Sequence, residues 1–297
     1  MFFVQKLYHT LKAQAEHPLK RHAPLRSALQ FCTAQVAVRL VPGDIAVPFP
    51  NDTRLVVSPR MKGAAHFISP GLCEFDEMTF VTHFLRAGDL FADVGANVGA
   101  YSVLASGVAG ARSVAFEPSP ATFRYLVDNI RINNLASLIT GLNVAVGRQE
   151  GALSLTANLG TENYICPNGQ SERGVQVRVT TLDQTFVDSI PRLIKVDVEG
   201  FETEVFAGAE RVLAHADLEA MIVEKGGLGA RYGYDEEPMH ARIQRAGFIP
   251  CTYEGLTRTL ARSPSDVRGN IIYVRDLEKV QGRLRSAPAF RFDGQSI

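Results

Sequence analysis

Hydrophobic positions along this chain fall into short apolar runs that alternate with longer segments of helical period. Glu74 to Leu85 carries Phe75, Met78, Phe80, Val81 and Phe84 on a helical repeat that stops at Ala87-Gly88-Asp89. After it the pattern predicts a strand over Leu90 to Val94, a helix over Ala100 to Ala109, and a strand over Ser113 to Phe116. A helix over Thr122 to Asn133 and a strand over Leu138 to Val144 follow. Gly151 to Ala157 and Val175 to Thr180 read as extended, and Leu193 to Val198 as a strand at a sheet centre. A helix over Thr203 to His215, a strand over Ala220 to Val223, a helix over Pro238 to Ala246 and a final strand over Ile271 to Val274 complete the series. Such alternation predicts a parallel sheet with helices on both faces.

The flanks differ in texture. Up to about Lys62 the chain reads as an extension, with an amphipathic helix around Phe3, Leu7, Tyr8 and Leu11 and a second helix over Ser27 to Leu40 that ends at Val41-Pro42-Gly43. An apolar stripe of this kind packs on the parent domain or lies on a membrane surface, and packing is the simpler reading. The tail after Glu278 is rich in Arg, Ser and Gly and reads as a loose cover. The organisation expected is an extension over 1–70, a main domain over 71–278 and a tail over 279–297.

Composition narrows the partners. The chain has 297 residues, enough for one substantial core, and its 31 Lys+Arg balance 31 Asp+Glu. Nothing at whole-chain level draws it to nucleic acid or to an acidic membrane, so the expected ligand is small. Cys32, Cys73, Cys166 and Cys251 are too scattered for a zinc or disulfide framework and fit a reducing, cytoplasmic setting. Gln5, Lys6 and His9 interrupt the apolar start before a signal-peptide core forms, and no stretch reads as transmembrane.

In a doubly wound sheet, ligands bind at the carboxyl ends of the strands, where strand order reverses. The first strand runs into Asp93-Val94-Gly95-Ala96-Asn97-Val98-Gly99, a turn whose glycines let backbone approach a ligand ahead of a helix N-terminus. The next strand ends at Phe116-Glu117-Pro118, a carboxylate roughly 20 residues on, the spacing at which an acidic side chain meets ribose hydroxyls. These features predict an adenosine-bearing ligand. A dinucleotide prefers three glycines around its pyrophosphate, and Asp93 would repel phosphate, whereas the zwitterionic end of S-adenosylmethionine tolerates a carboxylate there. Glu117 could equally cap the helix after Pro118.

Four stretches resemble the FkbM-type methyltransferases: Phe91 to Gly99, Phe116-Glu117-Pro118, Thr181-Leu182-Asp183, and Leu193-Ile194-Lys195-Val196-Asp197-Val198-Glu199-Gly200-Phe201-Glu202. The similarity spans roughly Gly71 to Arg275 and is most specific in the last stretch. It implies a Rossmann-like class I methyltransferase fold, with a mainly parallel seven-stranded sheet, and O-methylation of a sugar or another small hydroxylated metabolite. By that resemblance Asp93, Gly95, Ala96, Asn97 and Gly99 hold the methionine part of S-adenosylmethionine, Glu117 with Pro118 its ribose, and Val144-Ala145 its adenine. Asn143 stands where many related enzymes have an acidic residue.

Asp197, Glu199 and Glu224 are the catalytic candidates. Three converging carboxylates could bind a divalent cation that acidifies a substrate hydroxyl, or Asp197 or Glu224 could act directly as general base. Alternatively Asp197 caps a helix and Glu199 pairs with Lys195, while Lys225 competes with any cation for Glu224. His66, His83, His215 and His240 are weaker base candidates. Acceptor recognition is expected from the extension, from Gly160 to Gly174, and from Gly226 to Pro238, where Arg231, Tyr232 and Tyr234 could face a polyhydroxylated acceptor. The runner-up readings are a nicotinamide oxidoreductase and a non-catalytic cofactor-binding module.

Overall fold

The computed structural model describes residues 17–19, 29, 33, 36, 40, 43–58, 71–157, 163–167, 174–263 and 268–297. The alternation read from the sequence becomes one α/β sheet with a Rossmann-like winding. Its strands are β3 (Leu90–Val94), β4 (Arg112–Phe116), β5 (Ile139–Leu142), β9 (Leu193–Val196), β10 (Ala220–Lys225), β11 (Ile249–Glu254), β12 (Thr259–Arg262) and β13 (Gly269–Val274), in the order β12-β11-β13-β10-β9-β3-β4-β5. The five strands β5, β4, β3, β9 and β10 run parallel, and β13, β11 and β12 complete the sheet by antiparallel pairing. Every residue of β3 and of β9 is buried, which a strand covered by helices on both faces requires. Chain order reverses between β3 and β9, whose ends are in register at Val94 and Val196. That is the switch point where a ligand crevice opens.

The sheet has eight strands, not the seven expected. The additional hairpin, β11 with β12, was missed because Pro250 and polar Thr252 and Glu254 mask an alternation that buries Cys251 and Tyr253. The expected strand through Val144 also divides. β5 ends at Leu142, Asn143 turns the chain, and β6 (Ala145–Val146) joins β7 (Gly151–Leu155) and β8 (Val175–Thr180) in a small separate sheet.

Helices α1 (Phe75–Phe84), α2 (Ala100–Val103), α3 (Pro120–Ile132), α4 (Leu182–Thr185), α5 (Glu202–Ala207), α6 (Glu210–Ala214), α7 (Glu237–Arg245) and α8 (Leu277–Arg285) cover the main sheet. The helix expected over Ala100 to Ala109 widens into a π-type turn at Leu104–Val108, and the one over Thr203 to His215 breaks between α5 and α6. Asp183 explains the second start. Its carboxylate accepts the Arg211 and Val212 N–H groups at 3.0 and 2.9 Å, capping α6.

The tail is ordered structure, contrary to the loose cover expected. Asp276 caps α8 by accepting the Lys279 N–H at 3.0 Å, and Val280 and Leu284 bury one helix face. Arg283 pairs with Asp89, and the Phe290 and Ile297 backbones exchange hydrogen bonds at 2.9 Å around the hairpin of β14 (Arg291–Phe292) and β15 (Gln295–Ser296). One apolar core includes Val57 before the main domain, Phe91 within it and Leu284 after it.

The extension contributes a hairpin of β1 (Ile45–Pro48) and β2 (Arg54–Val57), with Leu55 and Val57 fully buried. Its outer edge is finished by side chains. Asn129 on α3 accepts the Val56 N–H at 2.5 Å and donates to the Val56 and Val98 carbonyls at 3.2 and 2.8 Å. One turn on, Asn133 accepts the Arg54 N–H at 2.8 Å and donates to the Arg54 carbonyl at 2.7 Å. Two amides at i and i+4 thus imitate the missing neighbour strand. Of the helix expected over Ser27 to Leu40, positions 29, 33, 36 and 40 are helical, with Leu29, Val36 and Leu40 exposed. The helix around Phe3 to Leu11 lies outside the described residues.

Replacing the fully buried Asn129 with Ala leaves the Val56 N–H and C=O without these partners. Asn129→Ala is expected to lower unfolding free energy by about 2–3 kcal/mol, read by denaturant titration. An unchanged midpoint and slope would show that the edge is satisfied in another way.

Candidate active site

A cavity of about 530 Å³ opens at the switch point, within the range of about 300–1,000 Å³ typical of small-molecule sites. One wall is the turn after β3. Gly95 and Ala96 donate their N–H groups to the Phe116 carbonyl at 3.0 and 2.9 Å, tying the turn to the end of β4. Gly95 has φ +81°, and a Cβ there would lie 1.8 Å from the Asp197 carbonyl oxygen, so only glycine lets the β3 and β9 loops meet. Asn97 also adopts a left-handed φ, 54°, and its Oδ1 is buried without a partner.

Glu117 is buried on the same wall. Its two carboxylate oxygens accept the Asn97 N–H at 3.0 Å and the Ser119 N–H at 2.8 Å. The capping alternative therefore holds in part, since Glu117 braces the start of α3 while also lining the cavity. Burial pushes its pKa up to about 7, against the two N–H groups that favour its charge. Pro118, Val144 and Ala145 line the cavity beyond it. Asn143 does not: its amide donates to the Glu117 and Pro118 carbonyls at 2.8 and 3.0 Å and fixes the loop from behind.

Asp93 and Gly99, expected against the ligand, stand behind the wall. Asp93 is fully buried and accepts the Ser102 hydroxyl at 2.7 Å, and Gly99 abuts Leu126. Burial raises the Asp93 pKa, with Lys195 opposing. Of the two roles open to Asp93 in its motif, anchoring the loop or meeting a ligand amine, its contact with Ser102 on α2 matches the anchor.

The opposite wall is charged. Lys195, 3% exposed, donates to Asp197 Oδ2 at 2.8 Å and lies 4.7 Å over the Tyr101 ring. Burial disfavours its charge, yet Asp197, Glu74 and Asp93 outweigh burial and hold the ammonium above its ordinary value. The alternative pairing of Lys195 with Glu199 gives way to Lys195 with Asp197: residues two apart along an extended chain project to the same face, so Asp197, just past the end of β9, lies beside Lys195. Glu224 reaches the same place from β10. Burial first, then the charges of Asp197, Glu202 and Glu199 and a hydrogen bond with Asp197, push its pKa up to about 8.

Glu199 lines the cavity at φ 56°, in the turn that Glu202 braces by accepting the Val198 and Gly200 N–H groups at 3.0 and 3.2 Å. At Gly200 a Cβ would meet the Leu228 carbonyl at 2.5 Å, so the segment after β10 presses directly on this turn. Arg231 there donates to the Glu199 carbonyl at 3.1 Å.

The remaining candidates are accounted for elsewhere. Lys225 pairs with Glu237 at 2.6 Å. His83 and His240 are buried against tyrosine hydroxyls at 2.7 Å, and His215 lies beside Asp217 on the surface. His66 lies outside the described residues. Sequence reading missed Glu74, Tyr101 and Asn270. Glu74 lines the cavity and accepts the Tyr101 hydroxyl at 2.7 Å and the Asn270 amide at 2.8 Å. Glu74 looked like a helix start, and only the strand pairing of Asn270 with Glu224 brings it here. Among the described residues no group of three or more His, Cys, Asp or Glu is arranged to hold a metal ion.

The methyltransferase FkbM domain matches residues 93–250, more than half of the chain, and the protein belongs to that family. Among individual proteins, it is 28% identical over 160 residues to the hexuronic acid methyltransferase AglP of Haloferax volcanii, covering 52% of this chain and 63% of that one. The alignment thus spans less than two thirds of that relative. Of solved structures, the methyltransferase FkbM from Methylobacillus flagellatus is 18% identical, with a TM-score of 0.44 over 71% of this chain and 53% of that one. The C-terminal domain of precorrin-6Y C5,15-methyltransferase from Rhodobacter capsulatus is 15% identical, with a TM-score of 0.39 over 68% and 87%.

Removing the lysine of the buried pair leaves Asp197 and Asp93 facing each other without compensation. Lys195→Met is expected to destabilise the protein by about 3 kcal/mol, the low end for breaking a buried pair because Asp197 stays part-exposed. Chemical denaturation measures it, and a neutral result would mean that the carboxylates simply take up protons.

Proposed function

We propose that this protein uses S-adenosylmethionine to methylate a hydroxyl of a sugar or a similar small polyhydroxylated metabolite. The observation that carries the reading is the two-walled cavity: a glycine turn with Glu117 on one side, and Lys195, Asp197 and Glu224 on the other. Membership of a methyltransferase family selects methyl transfer over the nicotinamide chemistry that the turn alone also suits. A hexuronic acid methyltransferase among its relatives favours a sugar acceptor.

The first wall fits the donor. The unpartnered Asn97 Oδ1 suits an ammonium, the remaining lone pairs of Glu117 suit ribose hydroxyls, and Val144 with Ala145 offers an apolar flank for adenine. When bound, S-adenosylmethionine supplies a methyl group already activated on sulfonium. Asp93 holds Ser102 and helps keep Lys195 charged, a positioning role behind the wall.

The protein's remaining task is to align the acceptor hydroxyl and take its proton. Glu224 does so as general base. Its raised pKa makes the ionised form a competent acceptor near neutral pH, and Asp197, fixed by Lys195, orients it. Glu199 adds negative charge that lifts Glu224 further. Asp197 is committed to Lys195, and no step is assigned to a metal.

Two measurements test the reading. Titration calorimetry should show S-adenosylhomocysteine binding in preference to NADH, weakened by about 1–3 kcal/mol in Glu117→Ala. Preferential NADH binding would overturn the donor assignment. Turnover should rise roughly tenfold per pH unit and level off above about 8, where Glu224 ionises. Glu224→Gln should lose roughly 100-fold or more and abolish that dependence. A wild-type profile flat from pH 6 to 9 would remove Glu224 as the base.

A further inference from the structure

Beside the reaction cavity lies a second one of about 540 Å³, and the two share Ile165 and Phe201 on their walls. The turn Glu199-Gly200-Phe201, which carries a carboxylate of the reaction site, therefore separates and joins them. On its far side Tyr232 of the 3₁₀ segment Leu228–Tyr232 and Tyr234 after it join Phe201 of the turn, setting three aromatic rings in fixed relation. Phe201 meets Tyr232 edge-on with centroids 5.3 Å apart, and Tyr232 stacks on Tyr234 at 6.3 Å and 29°.

These rings are held before any ligand arrives. The Tyr232 hydroxyl donates to the Ile165 carbonyl at 2.9 Å, and the Tyr234 hydroxyl to Glu204 Oε1 at 2.5 Å. Arg148 donates to both oxygens of Glu204, at 3.1 and 2.8 Å. The Arg231 guanidinium sits 3.7 Å over the ring of Tyr164, a residue of the reaction cavity. The lining is amphipathic without net charge, since Arg148 and Arg231 stand against Glu150 and Glu204. A phosphate-bearing ligand has no surplus cation to meet there. A pyranose, with an apolar C–H face and a rim of hydroxyls that both donate and accept, matches an aromatic platform edged by guanidinium and carboxylate groups.

Volume points the same way. The reaction cavity is sized for one drug-like ligand, and the donor with a single reacting ring fills that scale, so a longer acceptor must extend outside it. The geometry points to the second cavity as a saccharide subsite that binds the sugar unit next to the one methylated, which makes the natural acceptor a disaccharide or longer. This inference rests on the sugar-acceptor reading above. It also gives Tyr232 and Tyr234 a part in specificity: they select for chain length through a platform remote from the transferred methyl group.

The test compares acceptors by length. Glucuronate, galacturonate, mannose and rhamnose, as free sugars and in di- and trisaccharides, are offered with labelled S-adenosylmethionine, and kcat/KM is measured for each. For the sugar that is methylated, the di- or trisaccharide should exceed the monosaccharide by about tenfold or more, chiefly through KM. Tyr234→Ala and the more exposed Arg148→Ala should collapse that ratio toward one, whereas Tyr234→Phe, which keeps the ring, should retain most of it. Retained S-adenosylhomocysteine affinity in each variant confirms an intact fold. Equal kcat/KM across lengths, or an advantage that survives in both alanine variants, overturns the subsite while leaving the sugar reading standing. No transfer to any saccharide overturns the sugar reading and this inference together.

Discussion

The ion pair between Lys195 and Asp197 at the end of β9 organises the centre of this molecule. A fully desolvated ammonium is tolerable only where opposing charge surrounds it, and Asp197, Glu74 and Asp93 supply that charge from three different elements. The same lysine fixes Asp197, and Asp197 in turn bears on Glu224. Packing and reactivity are therefore not separable here. The strand end at the middle of the sheet adds, after burial, to the raised proton affinity of Glu224.

How far this was legible in the sequence depended on the range of the interactions involved. β3 follows from a local apolar run and β8 from a local alternation, and the bounds of both came out as read. The loops after β3 and β4 carry a spacing that by itself points to a nucleotide-like ligand. Three-dimensional neighbours did not come through. A pairing of Lys195 with Glu199 was one alternative the sequence allowed, whereas the end of β9 at Val196 sets Asp197 beside the lysine. Asp93 looked like a ligand contact by motif position, but its side chain faces Ser102. Glu74 and Asn270, 196 residues apart, meet only because β13 pairs with β10.

The tail failed for a different reason. Its composition is that of a loop, and composition outweighed the spacing of Leu277, Val280 and Leu284, which fits one helical face. Arg283, which in sequence looks like a surface charge, anchors the segment by donating to the Phe84 carbonyl at 2.5 Å and by pairing with Asp89. Polar residues that satisfy backbone or buried charge at long range are the recurrent blind spot, and in this protein they set both the tail and the active wall.

The asparagine-lined edge of β2 has a bearing on how the chain assembles. A two-stranded hairpin alone is marginal in water, and β1 with β2 has no sheet to join. Its outer backbone groups find partners only once α3 has wound far enough to place Asn129 and Asn133 one turn apart. In the native state the amides of Arg54 and Val56 share the fate of that helix: their exchange with solvent is governed by the opening of α3 rather than by fraying of the strand that carries them.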